Sequence, residues 1–346
     1  MIHSIDSFPG RTFSTNGKSY LYFGGTSYLG LQTDEVFQNL FIENLKKYGT
    51  NYGASRKANV QISIYEQAES YLANLVGSES AITVSSGYLA GQLVAQTLHT
   101  SDYEFFYAPD SHSAMHIPSK KPYNNFDNLN KALRNHTETA KSIPVLFIDS
   151  IDIQGNAFPN FNGIRELPLE DIVLVIDDSH GIGIVGDQGS GSYKSALKLN
   201  AKEVMVCCSL GKGFGVQAGA ILGSKNRIEQ FKNTDFFGGA SPATPAALAT
   251  FLEGESIIRE KRKLLKQYIQ EFVNLLKKPE LFSFQKNYPV FYFSNPQIAY
   301  FLEKNNVLIT NFNYPNEHSP LMSRIVLSAV HHKEDIELLT NLLNSY

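Results

Sequence analysis

One lysine, Lys212, stands among glycines and apolar residues in Ser209-Leu-Gly-Lys-Gly-Phe-Gly-Val-Gln-Ala-Gly-Ala-Ile-Leu-Gly-Ser224. A lysine is a strongly hydrated cation. Such a setting either puts it on an exposed turn or desolvates its amine until it becomes a nucleophile, as in Schiff-base chemistry. Gly211 and Gly213 remove side chains from both flanks, which would let a large group approach the backbone. Asp177 follows five apolar residues, Ile172-Val-Leu-Val-Ile176, and is expected deep at the end of a central strand. A carboxylate there costs stability unless a cation partners it. His180 follows in Asp177-Asp-Ser-His180-Gly, where a hydrogen-bonded pair and a metal site are both open, although no third ligand stands at a suitable spacing. His112 and His116 have the i, i+4 spacing of a metal-binding helix. The intervening Ser-Ala-Met lacks the acid of a zinc protease helix, and two surface histidines fit the spacing better. No metal is expected. Ser85-Ser-Gly87-Tyr88 precedes a helical pattern. Free N–H groups at that helix start would hold a phosphate, or a serine would simply cap it.

The elements that must position these residues are legible as short apolar runs. They are Ala81-Ile-Thr-Val84, Phe105-Phe-Tyr107, Val145-Leu-Phe-Ile148, Ile172–Ile176, Val204-Met-Val-Cys-Cys208 and Ala218-Gly-Ala-Ile-Leu222. Without clean alternation, and several of them rich in β-branched residues, most read as buried strands. Helical patterns lie between several of them, over Ile64–Val76 and Tyr88–Leu98. That rhythm predicts an α/β domain with a largely parallel sheet. After Pro245 the pattern changes to a long charged amphipathic helix, Ile257–Leu276, and shorter elements, expected to form a smaller α+β domain. The expected bounds are 35–250 for the large domain and 251–346 for the small one, with 1–34 packing on the latter or on a partner subunit. Polar clusters follow five of the runs, and ligands of parallel sheets bind at the carboxyl ends of strands. Each cluster alone is compatible with an ordinary polar turn.

Together, a phosphate cradle, a buried carboxylate and a lysine match the needs of pyridoxal 5'-phosphate. Its aldehyde needs an amine, its ring nitrogen an acid, and its phosphate N–H and hydroxyl donors. The chain from about Tyr28 onward resembles the α-oxoamine synthases, pyridoxal-phosphate enzymes of the type I aminotransferase fold. Val175-Ile-Asp-Asp-Ser-His-Gly-Ile-Gly-Ile-Val-Gly-Asp-Gln-Gly-Ser-Gly191 is similar to the family's Asp-Asp-Ala-His-Gly segment, and Ser209-Leu-Gly-Lys-Gly-Phe-Gly215 to its Thr/Ser-x-Gly-Lys segment.

The resemblance implies that Lys212 forms the Schiff base, that Asp177 pairs with the pyridinium, and that His180 bonds the phenolic oxygen. It implies that His112 stacks on the ring and that Gly87, Tyr88 and Ser209 hold the phosphate. It also implies that Arg324, in Ser323-Arg-Ile-Val-Leu-Ser-Ala329, binds the amino-acid carboxylate, for which its planar fork is suited. Read without the resemblance, Arg324 fits a surface charge on a strand edge. Ser27, in the substrate-binding position, replaces the usual Asn of Asn-Tyr-Leu-Gly. Tyr65 stands where the synthases often have His, and Gly238 and Gly239 replace hydroxyl residues that reach the phosphate of the partner subunit. The segment Asp149–Gly155 matches poorly and is left unassigned. The implied reaction joins an amino acid to an acyl-CoA thioester in a homodimer. Transamination on the same fold and a catalytically silent relative are the alternatives. A dehydrogenase is another, because Gly213-Phe-Gly-Val-Gln-Ala218 fits Gly-x-Gly-x-x-Ala with Asp235 beyond it.

Composition bounds the rest. With 346 residues, 42% hydrophobic and 18% charged, the chain is globular, and a net charge of −3 predicts neither nucleic acid nor an anionic membrane as partner. The two cysteines are the neighbours Cys207 and Cys208, which cannot form an ordinary disulfide, and no secretory signal or membrane-length apolar run is visible. A cytoplasmic protein is expected.

Overall fold

The computed structural model describes residues 3–15, 17–118, 120–152, 156–314 and 317–346. Its strands among these residues are β1 (Thr12–Thr15), β2 (Lys18–Phe23), β3 (Ser80–Val84), β4 (Tyr103–Tyr107), β5 (Ile143–Asp149), β6 (Val173–Asp177), β7 (Glu203–Ser209), β8 (Gly219–Gly223), β9 (Ser283–Phe284), β10 (Val290–Tyr292), β11 (Val307–Asn313) and β12 (Leu321–Val326). The chain divides into two compact units, Leu40–Glu255 and a second built from Met1–Asn39 with Ser256–Tyr346.

The larger unit holds a sheet of order β3-β8-β7-β6-β5-β4. Strands β4 to β7 are mutually parallel, β8 runs against β7, and β3 runs against β8. Five of the six strands therefore point the same way, and the polar clusters after β3, β4, β5, β6 and β7 share one edge. All five residues of β6 are buried, as expected for a strand covered on both faces. Val175 of β6, Phe147 of β5, Met205 of β7 and Ile221 of β8 join a core completed by Leu93, Val94 and Leu98 of the helix Gly87–Leu98. Burying one such large side chain is worth about 1.5–3 kcal/mol.

The helix Ile64–Val76 closes on Gly77, whose φ of 82° lies in the left-handed region that glycine adopts without strain. The run Gly213–Ala218 leads into β8, a strand, where a dinucleotide-binding fingerprint requires a helix. The dehydrogenase reading falls on that point.

In the second unit the sheet order is β1-β2-β11-β12-β10-β9. Only β2 and β11 pair in parallel; the other neighbours are antiparallel. The N-terminal strands thus belong to the same sheet as the C-terminal ones. Arg11 grips Asp335 through Nε and Nη2 at 2.6 and 2.7 Å, and Asp335 also accepts the His332 N–H at the start of the helix Lys333–Ser345. Among the described residues no helix is long and apolar enough to cross a membrane.

Candidate active site

The end of β6 delivers Asp177, which is 7% exposed and accepts the N–H of Ser179 at 2.9 Å. The chain then turns through Asp178 and Ser179 to His180. The end of β7 delivers Ser209, whose hydroxyl accepts the Gly211 N–H at 3.2 Å and so caps the short helix Leu210–Gly213 that carries Lys212. These two turns are tied together: the Ser209 N–H donates to Ser179 Oγ at 2.9 Å, and Lys212 Nζ lies 2.9 Å from His180 Nε2. Lys212 is half-buried, which excludes a freely solvated turn lysine.

The two glycines beside it differ from one another. A side chain at Gly213 would meet the Ile182 carbonyl oxygen at 2.2 Å, so this glycine lets the Lys212 turn close on the backbone after His180. A side chain at Gly211 would make only ordinary contacts, the nearest at 3.5 Å. At Gly213, packing of one turn against the other takes the room that the sequence leaves open for a ligand.

Beyond β3, Ser86 caps the helix Gly87–Leu98 by accepting the Leu89 N–H at 3.1 Å. The amides of Gly87 and Tyr88 have no acceptor among the described residues, so two donors at a helix start remain available to an anion. Capping and anion binding coexist here. A Cβ on Gly87 would lie 2.7 Å from both the Ser209 nitrogen and its Cβ, which is how the cradle and the Ser209 hydroxyl come together.

His112 follows β4 and begins a single 3-10 turn, Ser113–Met115, where an α-helix would be needed for i, i+4 metal binding. Its Nδ1 accepts the Ala114 N–H at 3.2 Å, while His116 Nε2 is 3.0 Å from Ser111 Oγ. Burial pushes the His112 pKa down and Lys212 adds to this, with Asp177 opposing. A neutral ring with Nδ1 as acceptor results, suited to packing flat on an aromatic group. Among the described residues no three metal-binding side chains converge.

Asp149, at the end of β5, accepts the His112 N–H at 2.9 Å and was not assigned from the sequence. Further along that segment, Asp152 accepts the Asn156 and Ala157 amides at 3.0 Å each and shapes a turn; residues 153–155 lie outside the described residues.

Asp178 lies beneath the site, 1% exposed. Burial pushes it up to about 7, against the pull of the Ser150 and Ser192 hydroxyls and the Ser192 amide. Side chains at Gly181 or Gly191 would strike its carboxyl oxygens at 2.1 and 1.9 Å. The ordinary value is 3.8, so the native state keeps a proton that the unfolded chain has lost between these values. Stability is therefore present below about pH 4 and lost as pH rises toward 7. Asp178→Asn should remove that loss, gaining on the parent by at most about 4 kcal/mol between pH 4 and pH 8. Urea midpoints at both pH values check this, and parallel shifts of the two proteins would exclude it.

In the second unit, Arg324 sits on β12 opposite Tyr292 of β10 and Thr310 of β11, inside the sheet and only 9% exposed. A surface charge on a strand edge is thereby ruled out. Burial opposes its charge, but the phenols of Tyr28, Tyr292 and Tyr288 outweigh this and raise its pKa. No acid among the described residues forms an ion pair with it, and its Nε is buried without an acceptor. A cation so prepared fits a bidentate anion. Ser27 behaves otherwise: its hydroxyl donates to Gln32 Oε1 in the same loop, and its carbonyl accepts Ser328 Oγ at 2.6 Å.

Comparison with known proteins decides the family. The description aminotransferase class I and II matches residues 23–343. An 8-amino-7-oxononanoate synthase of Lysinibacillus sphaericus is 30% identical over 281 residues, 75% of this chain and 71% of the relative. The chain is an α-oxoamine synthase family member. A second 8-amino-7-oxononanoate synthase, of Petrotoga mobilis, is 25% identical over 360 residues, 97% of this chain and 90% of the relative. The fold agrees with that of Sphingomonas wittichii serine palmitoyltransferase, with a TM-score of 0.80 at 16% identity, covering 99% of this chain and 91% of that one.

The α-oxoamine synthases are transferases dependent on pyridoxal 5'-phosphate, and so is this chain. Its residues fit that cofactor: two open amides and a hydroxyl for phosphate, a buried acid at one strand end and an amine at the next. The family's departures also have a structural setting. Tyr65 is 2% exposed, its hydroxyl donates to the Ala243 carbonyl at 2.9 Å, and the Arg56 guanidinium lies 4.1 Å from its ring centre. Gly238 faces Lys57, whose Cδ would be 3.1 Å from an added Cβ, whereas an added Cβ on Gly239 would meet open space.

Proposed function

We propose that the enzyme condenses an amino acid with an acyl-CoA thioester and releases CoA, with Lys212 as the covalent attachment point and base. The observation that carries this reading is the Lys212 Nζ to His180 Nε2 approach of 2.9 Å, at the sheet edge that also holds buried Asp177 and the open Gly87 and Tyr88 amides. Pyridoxal phosphate, when bound, supplies a protonated ring that withdraws electrons from the carbon bearing the substrate amine. Asp177 keeps the proton on the ring nitrogen, His180 bonds the phenolic oxygen, and His112 packs on the ring face. Gly87, Tyr88 and Ser209 hold the phosphate within one chain, since Gly238 and Gly239 offer no hydroxyl to a partner. Arg324 takes the amino-acid carboxylate. With substrate bound, the Lys212 amine would be the group to take the α-proton. The similarity to 8-amino-7-oxononanoate synthases supports acyl-CoA as second substrate.

The test offers glycine, alanine or serine with short to long acyl-CoA to the size-exclusion peak of the holoenzyme, following thiol release. Thiol release dependent on both substrates is expected. Amino transfer to an oxo acid, without thiol release from any thioester, would assign the enzyme to transamination. Elution as a monomer would remove the homodimer from this reading.

A further inference from the structure

Asp149 closes β5 on the same edge. In the sheet register it lies directly opposite Asp177, since β5 and β6 are parallel neighbours with Ile148 opposite Ile176 and Asp149 opposite Asp177. Registered partners on adjacent strands present their side chains to the same face, so the two carboxyl groups are neighbours. Asp149 also receives a bond from outside the sheet, from the main-chain N–H of His112, 37 positions earlier in the chain.

The turn bearing His112 is held from two sides. Its later part is fastened to the helix Gly87–Leu98: Gln92 Nε2 donates to the carbonyls of Ala114 and His116 at 2.9 and 3.2 Å. Gly91 lets that helix close in, because a Cβ there would lie 2.7 Å from the Ala114 carbonyl oxygen. The earlier part leaves β4 through Asp110, with φ of 58°, and its tie to the sheet at His112 itself is Asp149.

We propose that Asp149 is a positioning residue, holding His112 against the face of the cofactor ring whose nitrogen Asp177 meets. This rests on the cofactor-site reading above. Burial and the adjacent Asp177 both push the Asp149 carboxyl well above the usual range, which suits a neutral acid with one oxygen accepting from His112. An amide can reproduce that pattern; a methyl group cannot.

Asp149→Asn and Asp149→Ala, each alone and in the His112→Ala background, separate the possibilities. The readouts are circular dichroism of the bound cofactor's visible band, cofactor affinity, kcat and the KM for the amino acid. Asp149→Asn should stay within about 3-fold of the parent in all of them. Asp149→Ala should lose at least about half of the visible dichroism, weaken cofactor binding about 10-fold and lower kcat by ~10–100-fold, with KM changed less than about 3-fold. In the His112→Ala background, Asp149→Ala should add less than about 2-fold, because it acts through His112. Unchanged dichroism and kcat in Asp149→Ala would overturn the proposal, as would additive losses in the double variant or equal damage in Asp149→Asn. If Asp149→Ala does not fold, Asp149→Asn and its His112→Ala partner still decide. Failure of the unmodified chain to take up the cofactor would instead sink the site reading, and it is observed before any variant is made.

Discussion

Lys212→Ala is expected to fold normally and to lose turnover by about four orders of magnitude, since covalent attachment and proton transfer both end with the amine. Folding should survive because the side chain is half-buried and its approach at 2.9 Å is to His180, itself only partly buried. The Gly213–Ile182 approach, which sets the turn, is made by backbone and is untouched. Borohydride treatment of the parent should fix the cofactor to the peptide containing Lys212, and the variant should give no labelled peptide. A label elsewhere in the parent, or residual activity above about a tenth, would transfer the role to another residue.

Asp177→Asn should keep the cofactor and lose about 100-fold or more in kcat. An amide oxygen can still accept the Ser179 N–H, now at 2.9 Å from Asp177 Oδ1, so the turn to His180 should persist. What disappears is the carboxylate that the proposed function sets against the ring nitrogen, in a position 7% exposed where solvent cannot replace it. Cofactor content by absorbance and kcat by thiol release check both halves. Turnover close to the parent would show that protonation of the ring does not depend on Asp177.

Much of this edge was legible because strand ends carry their own signal. Asp177 and Lys212 each follow an apolar run that the structure confirms as a strand or its immediate exit, β6 and β7. Ser86 and Gly87 announce a helix start in the same way. Asp149 closes an apolar run too, but its function lies in a bond to His112, and no periodicity reports a partner 37 positions away. Gly213 illustrates a second limit. A glycine beside a lysine shows that space is needed and leaves open whether ligand or backbone fills it; here the Ile182 carbonyl does. The burial of Arg324 was likewise hidden, because the motif around it says nothing of the two strands that flank it. The pairing of β2 with β11 joins opposite ends of the chain, beyond any local pattern.

That last pairing governs the order in which the molecule can be completed during synthesis. β1 and β2 emerge well before the parallel neighbour of β2, β11, which begins only at Val307. The whole of Leu40–Glu255, with its own sheet, leaves the ribosome in between. A nascent chain therefore carries an unpaired β2 edge throughout the synthesis of the larger unit, and pairs it only once Val307–Asn313 has emerged. Contacts of such long sequence separation form late, and the waiting edge is a point of vulnerability to association with other chains. Slow synthesis of the stretch before β11 would prolong that exposure without disturbing a single residue of the candidate active-site edge.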